Sequence, residues 1–534
     1  MSQAMVCAAQ PEAVEAGAEV LAGGGNAVDA AVATALTQTA VDPQMCGIAG
    51  FGSMHIYLPG GAHVFLDFYG RAPLAARPDM WSDQLVAETE DGFGFILKNR
   101  ENELGYGAIA TPMTLRGLST ALAQFGTRKL ADLIGPAIHY AENGFMVRPH
   151  VSAYWNQVPT EGRAPHNEFL TRFAATRNIY VKADGRLHAV GDTLVNRDMG
   201  ATLRRVAKAG VDDFYAGEIA AKISADMKAN GALLAPADLA ACKVERAEPL
   251  WGSYRGLKIA TNPPPGGGTM LLEMLNILEH FDLRALGHNS PAYIATVAEA
   301  MKIGAIDRDA YLGDPKFVDV PVERLTSKQH AAAMAERIKR GEKADVPRFV
   351  AKKEAADTTQ VCAVDASGMC VSLTHTLGTP SGVVTEGLGF MYNGAMGAFD
   401  PRPGRSGSIA PGKARASSMA PSIVFRDGKP FFVVGAPGGT YITPGILQAI
   451  LNVVDFGMSA LEAISAPRFC ATSNTIWLTN RILRSAERDL VKRGYPVKRS
   501  PQTYYFAGVH GIRVVDGHCD GAADPGRDGM ALAV

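Results

Sequence analysis

The sequence lacks the features that mark membrane proteins, secreted disulfide-bonded proteins and nucleic-acid-binding proteins. Its 534 residues contain no run of about 18 apolar residues, and no basic segment followed by an apolar core opens the chain. The seven cysteines are scattered without a CxxC pair, which is typical of reduced thiols. A formal net charge of −1, with no basic cluster carrying aromatic residues, argues against nucleic acid and anionic membranes as partners. We therefore predict an unanchored cytoplasmic protein.

The sequence also lacks the common motifs of metal enzymes and serine hydrolases. Its twelve histidines form no HExxH motif and no close cluster with cysteine, so we predict no metal and no cofactor. The segment from Gly404 to Gly407 does not have the GxSxG frame of a nucleophile elbow. The glycine triplet before Asn26 has no phosphate-loop spacing, and it predicts a turn and a helix cap.

What is present is the composition of a globular protein, 47% hydrophobic and 20% charged. Helical patterns dominate from Thr111 to about Ala332, and strand patterns dominate the C-terminal third. Two sheets with helices on their outer faces fit this order. The predicted elements include helices within 11–41 and at 115–125, 130–143, 200–209, 219–230, 270–281, 291–311, 443–455 and 460–466, and strands at 53–58, 62–68, 257–261, 360–364, 369–376, 386–392, 422–426 and 430–435.

The sharpest change of pattern falls at residue 357. A charged run ends at Asp357, and an alternating strand pattern follows Thr358 and Thr359. We interpret this junction as a cleavage point before Thr358. A threonine freed in this way carries a hydroxyl nucleophile and an α-amino group that acts as its base.

The same chemistry needs hydrogen-bond donors for the oxyanion that forms during attack. Gly438 and Gly439 follow a predicted strand and precede a predicted helix. Two glycine N–H groups exposed at such a turn fit an oxyanion hole. An ordinary strand followed by an ordinary turn is the alternative that the residues alone leave open.

Several motifs, in order along nearly the whole chain, resemble the γ-glutamyltransferase family of N-terminal nucleophile (Ntn) hydrolases. Asp357-Thr358-Thr359 stands at the family's self-cleavage point. The other matching segments are 24–33, 307–315, 417–421, 435–439 and 523–527. The resemblance implies an α+β protein with a four-layer αββα sandwich and a helix-rich large-subunit region, made as one precursor.

The resemblance also implies roles for individual residues. The nucleophile is a threonine, a second threonine hydrogen-bonds it, two glycines supply the oxyanion donors, and two serines hold the substrate's carboxylate. In that order these residues are Thr358, Thr376, Gly438 and Gly439, and Ser417 and Ser418.

The sequence departs from the family where γ-glutamyl members hold the substrate's ammonium. The expected Asn two residues after Thr376 is Gly378, and the expected Gln and Asp are Ala395 and Ala398. An ammonium without acceptors would be desolvated and unpaired, which is costly. We therefore expect a substrate without a glutamate head group.

The arginine that holds the glutamate's carboxylate in the family is also displaced. Tyr69 occupies its place, and Arg71 stands two residues further on. We predict that Arg71 reaches the same carboxylate. A salt bridge at the surface or at a subunit junction is the alternative.

The loop from Asp400 to Arg415 corresponds to the family's lid over the site. It has no tyrosine, and it carries Arg402, Arg405 and Lys413 as well as Arg415 against a single acidic residue. The resemblance implies that this lid is shorter than in transferring members of the family, and a shorter lid leaves the acyl-enzyme open to water, which favours hydrolysis over transfer. A solvated loop that binds nothing is the alternative.

Together these observations predict a precursor cut into a large subunit, residues 1–357, and a small subunit, residues 358–534. The two would stay together as a heterodimer, and a dimer of heterodimers is left open. The predicted reaction is hydrolysis of the amide bond of a small carboxylate-bearing substrate through a threonyl ester. The alternatives are a true γ-glutamyltransferase or glutathione hydrolase, and a non-catalytic scaffold relative.

Overall fold

The computed structural model describes residues 3–92, 94–157, 162–349, 358–504 and 506–534. Several of its helices begin at a capping residue or at proline, as at Pro11 and Pro291. Asn26 caps the second helix by accepting a hydrogen bond from the Asp29 N–H at 3.0 Å. The helices are Pro11–Ala22, Ala27–Val41, Thr114–Phe125, Leu130–Leu133, Gly135–Asn143, Pro149–Trp155, Glu168–Thr171, Ala174–Tyr180, Arg197–Ala209, Asp212–Ala216, Glu218–Ala229, Pro236–Ala240, Gly268–Leu278, Leu283–Leu286, Pro291–Tyr311, Val322–Leu325, Lys328–Lys339, Ile442–Val454, Ala460–Ser465 and Arg484–Lys492.

The first of two large sheets has seven strands, all paired antiparallel. Its register places Cys7 opposite Cys362 and Thr359 opposite His375. In spatial order the strands are Gly529–Ala533, Met5–Ala9, Thr359–Val364, Cys370–Thr376, Phe51–Tyr57, His63–Phe68 and Glu245–Ala247.

The second large sheet has six strands and faces the first. In spatial order they are His518–Ala523, His510–Val515, Lys429–Gly435, Ser422–Arg426, Leu257–Thr261 and Leu250–Tyr254. Smaller sheets pair Leu85–Glu88 with Phe95–Leu97, Phe145–Met146 with Thr193–Leu194, Pro380–Val384 with Met391–Asn393, and Phe469–Cys470 with Ile476–Leu478 and Val497–Arg499.

Helices cover the outer face of each large sheet. Ala27–Val41 packs on the first sheet, and every one of its residues is buried, as expected for a helix with apolar residues on every side. Gly268–Leu278 and Ile442–Val454 pack on the second sheet. Side chains such as Cys7, Cys362 and Ile512 form the core between the sheets. The result is the predicted four-layer αββα sandwich.

One predicted strand is wrong. The pattern at 386–392 predicts a continuous strand, but residues 386–388 form a turn and only Met391 and Tyr392 are paired. Gly387 and Gly389 have φ values of 72° and 73°, in the left-handed region that a strand does not use. The helix at 130–143 is also divided, by a short break at Ile134.

Within the residues that the structure describes, no helix is both long and apolar enough to cross a membrane. The cytoplasmic location stays a prediction.

Candidate active site

Thr358 lies at the start of an inner strand, facing the end of its neighbour. Because Thr359 pairs with His375, the same register brings Thr358 beside Thr376. Both threonines are buried and line one cavity of about 460 Å³. Thr358 has a φ of 152°, which is rare for a β-branched residue. Asp357, on the other side of the predicted cleavage point, lies outside the described residues.

The cavity brings together most of the residues that the sequence nominated. Thr358, Thr376, Gly378, Ser417, Ser418 and Gly439 all line it. Gly438 adjoins Gly439 without lining the cavity itself, and Arg71 does not line it. Five arginines and three carboxylates are among the described lining residues: Arg308, Arg348, Arg402, Arg405 and Arg415, with Glu88, Asp309 and Asp400.

The Thr376 hydroxyl is held in place by the backbone that follows it. Its Oγ1 accepts a hydrogen bond from the Gly378 N–H at 2.7 Å. Since that oxygen accepts here, its own proton remains available to a second acceptor in the cavity. This geometry suits a hydroxyl that orients a neighbouring nucleophile.

Gln38, on the buried outer helix, fixes the two strands behind the threonines. Its Nε2 donates to Thr359 Oγ1 at 3.0 Å, and its Oε1 lies 2.9 Å from His375 Nε2. Burial lowers the pKa of His375 to about 3, so the imidazole is neutral and donates to Gln38. His375 is therefore a positioning residue rather than a base.

The predicted oxyanion loop lies between a strand and a helix. Lys429–Gly435 ends, a 3₁₀ turn spans Gly439–Tyr441, and Ile442–Val454 follows. Gly438 and Gly439 have φ values of 135° and 55°, which favour glycine. Their N–H groups stand at the N-terminal end of this helical segment, where the macrodipole favours negative charge.

An aspartate from the N-terminal part of the chain supports this loop. Thr440 Oγ1 donates to Asp91 Oδ2 at 2.7 Å, and both side chains are buried. Arg308 in turn donates to the Asp91 carbonyl. No sequence motif pointed to Asp91, because the partner in the oxyanion loop lies 349 residues away.

The serine pair lies where the chain crosses the cavity wall. Ser417 Oγ accepts from the Met419 N–H at 3.2 Å, and the Ser418 carbonyl accepts from Thr443 Oγ1 at 2.9 Å. Because both serines line the cavity and are anchored from behind, their placement suits contact with a substrate.

The sequence groups Arg415 with the other cations of the lid loop. The structure places its side chain in the cavity wall. It is only 6% exposed, and its guanidinium lies 5.5 Å from the Phe51 ring centroid. A Cβ added to Gly378 would lie 3.4 Å from Arg415 Nη1. Burial lowers the pKa of Arg415 to about 10.

Arg71 is positioned elsewhere, and the prediction that it holds the substrate's carboxylate is not supported. Its guanidinium lies 3.4–3.6 Å from the carboxylates of Asp67, Glu245 and Asp314. Arg71 therefore forms salt bridges, which was the alternative, because three acids already surround its guanidinium.

The lid segment is folded against the body of the protein. Arg402 pairs with Glu88 and with Asp400, and Lys413 Nζ donates to the carbonyls of Ser406 and Ser408 at 2.7 and 2.9 Å. A freely solvated loop does not describe this arrangement.

One cluster away from the cavity lining has a donor set that a metal could use. His330 Nε2 lies 2.8 Å from Glu273 Oε1 and 3.6 Å from Asp307 Oδ2. The neighbouring carboxylates of Asp307 and Glu273 raise the pKa of His330 to about 9, so an imidazolium between two acids accounts for the group. The absence of metal stays a prediction.

An αββα sandwich with a threonine at the start of an inner strand, beside a second threonine and a glycine loop, defines an N-terminal nucleophile hydrolase. Residues 13–534 match the gamma-glutamyltranspeptidase family, and the chain belongs to that family. It is therefore a self-processing enzyme that acts on amide bonds, as predicted.

Acylases and glutathione hydrolases are among the similar proteins. The Acylase ACY 1 proenzyme of Pseudomonas sp. (strain V22) is 38% identical over 540 residues, covering 100% of this chain and 94% of that protein. The glutathione hydrolase proenzyme of Escherichia coli (strain K12) is 34% identical over 555 residues, covering 98% and 90%. The crystal structure of cephalosporin acylase from Bacillus halodurans superposes with a TM-score of 0.87 at 26% identity, covering 99% of this chain and 96% of that one.

Proposed function

We propose that the chain cuts itself between Asp357 and Thr358 and then hydrolyses amides whose acyl group carries a carboxylate but no ammonium. This proposal rests on the position of the buried Arg415 guanidinium. It lies beside Gly378, which is two residues after Thr376 in the cavity wall.

Thr358 is the proposed nucleophile both in turnover and in self-cleavage. In turnover, its α-amino group accepts the hydroxyl proton as Oγ1 attacks the amide carbon. The N–H groups of the Gly438–Gly439 turn stabilise the oxyanion. The protonated amine then gives its proton to the departing nitrogen, so the C–N bond breaks and a threonyl ester remains. Water, activated by the same amine, hydrolyses the ester to release the acid.

The strained start of the strand supports self-cleavage at the same residue. The φ of 152° at Thr358 is costly for a β-branched side chain, and strain of this kind is found at functional sites. Attack of the Thr358 hydroxyl on the preceding carbonyl would break the peptide C–N bond, free the α-amino group and leave an ester, which releases that strain. Water would then hydrolyse the ester and separate the two chains. The products, residues 1–357 and 358–534, are proposed to remain together as a heterodimer.

Arg415 supports a carboxylate and opposes an ammonium. A carboxylate beside this buried guanidinium would accept charge-assisted hydrogen bonds from it, and bonds of this type are strong. An ammonium at the same distance meets a like charge, at a cost of about 4 kcal/mol for a 4 Å separation near a protein surface. Gly378 offers that ammonium no side-chain acceptor. Similarity to a protein named acylase agrees with this substrate class.

Three anilides that differ only at the far end of the acyl chain test the proposal. Glutaryl p-nitroanilide has a carboxylate, γ-glutamyl p-nitroanilide has a carboxylate and an ammonium, and pentanoyl p-nitroanilide has neither. We expect kcat/KM to be at least about ten-fold higher for the glutaryl compound than for either of the others. A γ-glutamyl compound turned over faster than the glutaryl compound would favour the glutathione hydrolase alternative instead.

A further inference from the structure

A second depression of about 440 Å³ opens beside the catalytic cavity. The two share Ala310, Arg405 and Ser406 along their common border. Tyr311 and Phe317 form part of the wall of this outer groove. A molecule that reaches from one into the other would pass along Arg405.

The cavity has a closed end and an open end. Arg415, at the acyl position proposed above, is 6% exposed, whereas the Arg405 side chain is 59% exposed. The acyl group stays on Thr358 after the first step, but the amine must leave before water attacks. The amine therefore belongs on the open side, toward Arg405 and the outer groove.

The charges at this open end are not balanced within the described residues. Arg402 pairs with Glu88 and with Asp400 at 2.7 Å, whereas Arg405 lies 3.8 Å from the same Asp400. Arg308 and Arg348 both pair with Asp309. Since the three lining carboxylates already serve three closer arginines, Arg405 is able to bind a further anion.

The groove also offers an exposed aromatic face. Phe317 is 45% exposed and Tyr311 is 37% exposed, both high for aromatic side chains. The ammonium of Lys413, another groove residue, lies 6.0 Å from the Phe317 ring centroid. A planar ring bearing a negative group would pack on this apolar wall and place its charge beside the exposed guanidinium of Arg405.

We propose that the outer groove binds the leaving amine of the substrate, and that this amine is a planar ring carrying a carboxylate, with the ring against Phe317 and the carboxylate at Arg405. This inference rests on the proposed function, because it needs the acyl group at Arg415.

Two leaving amines of nearly the same shape test the charge. The substrates are the glutaryl amides of 4-aminobenzoate and of neutral 4-aminobenzamide. We expect the ratio of kcat/KM values, benzoate over benzamide, to fall about ten-fold in Arg405→Gln relative to the unchanged enzyme. Because the two amines differ in electronic character, the change in the ratio is the readout.

Two further variants are informative. One tests the ring contact separately from the charge contact, and the other tests whether loss of any surface arginine has the same effect. Phe317→Ala should raise KM for both amides by a similar factor and leave the ratio unchanged. Arg186→Gln is the matched control, since Arg186 pairs with Asp184 in an exposed turn and lines neither cavity nor groove. It should behave as the unchanged enzyme.

The outcomes are distinct. If glutaryl anilides are hydrolysed but Arg405→Gln leaves the ratio unchanged, or if Arg186→Gln lowers it equally, the groove proposal is wrong and the proposed function stands. If no glutaryl amide is hydrolysed at all, the proposed function fails and this inference fails with it.

Discussion

Arg415 and Gly378 occupy adjoining space: the Cβ of any side chain at residue 378 would lie 3.4 Å from Arg415 Nη1. Gly378 also has a φ of 66°, so its backbone favours glycine for a second reason. The absence of a side chain at residue 378 argues against a glutamate head group. The Arg415 guanidinium beside it argues for an acyl group that carries a carboxylate, so the two arguments concern the same part of the cavity.

Removing the charge of Arg415 should weaken binding of the acyl carboxylate. For Arg415→Gln we expect KM for glutaryl p-nitroanilide to rise about ten-fold to a hundred-fold, with a smaller change in kcat. Steady-state kinetics give both constants. Arg71→Gln is the matched comparison, and it should lower the melting temperature while leaving KM nearly unchanged. A rise in KM for Arg71→Gln, with KM nearly unchanged for Arg415→Gln, would show that Arg71 binds the carboxylate.

Filling the space at Gly378 should disturb the same subsite. Asn tolerates a positive φ better than most residues, so Gly378→Asn tests the side chain more than the backbone. We expect kcat/KM for the glutaryl anilide to fall about ten-fold, because the new side chain crowds Arg415 and Phe51. Turnover of the γ-glutamyl anilide should stay low, since the guanidinium remains. A gain of γ-glutamyl activity would show that the missing Asn alone sets specificity.

Thr358→Ala should remain a single uncut chain without activity, because both reactions need the hydroxyl. Thr358→Ser should still be cut, more slowly. A denaturing gel distinguishes two bands, near two thirds and one third of the chain, from one. Thr359→Val serves as the control: its hydroxyl accepts from Gln38, and we expect it to be cut. An active, cut Thr358→Ala protein would remove the mechanism.

Thr440→Val breaks the hydrogen bond to Asp91 without removing the oxyanion N–H groups themselves. We expect kcat to fall about ten-fold with little change in KM, because a displaced loop loses transition-state stabilisation rather than substrate binding. Asp91→Asn should have a smaller effect, since an amide oxygen still accepts the bond. A rise in KM with kcat unchanged would assign this contact to substrate binding.

Asp42 should make the protein less stable as pH rises. Burial raises the pKa of its carboxyl to about 7. Between about pH 4 and pH 7 the folded state therefore holds a proton that the unfolded chain releases, and the free energy of unfolding falls. Asp42→Asn has no such proton, so its advantage over the unchanged protein should grow with pH over this range, by on the order of 2–4 kcal/mol.

Thermal unfolding at pH 5 and pH 8 measures that difference. The exposed Asp79, changed to Asn, is the matched control for an altered net charge. A difference between the unchanged protein and Asp42→Asn that is the same at both pH values would contradict the assignment.

Local pattern was enough for much of this fold. The strand Leu257–Thr261 and the helix Pro291–Tyr311 have the predicted bounds, because each is bounded by turn or capping residues next to a strong periodicity. Motif order was enough for the family. The strand predicted at 386–392 was wrong because the alternation there includes two glycines in left-handed conformations.

The site could be predicted only where its residues belong to short motifs. Thr358, Thr376 and Gly439 line the cavity as nominated. Arg415 was grouped with other lid cations, because sequence does not show which of several arginines turns inward. Arg71 was chosen by its spacing from Asp67, but spacing could not reveal the two other acids, Glu245 and Asp314, that complete its surroundings.

The first sheet contains strands of both proposed fragments, and one strand of the large fragment is inserted between strands of the small one. Met5–Ala9 lies between Gly529–Ala533 and Thr359–Val364, so a strand of the large fragment is hydrogen-bonded on both edges to the small one. The precursor forms this arrangement with its parts tethered. Once the tether is cut, an unfolded enzyme would have to reassemble from two separate chains, at a rate that depends on their concentration. The working lifetime of the mature enzyme would then be governed by how slowly it opens rather than by an equilibrium it can re-enter.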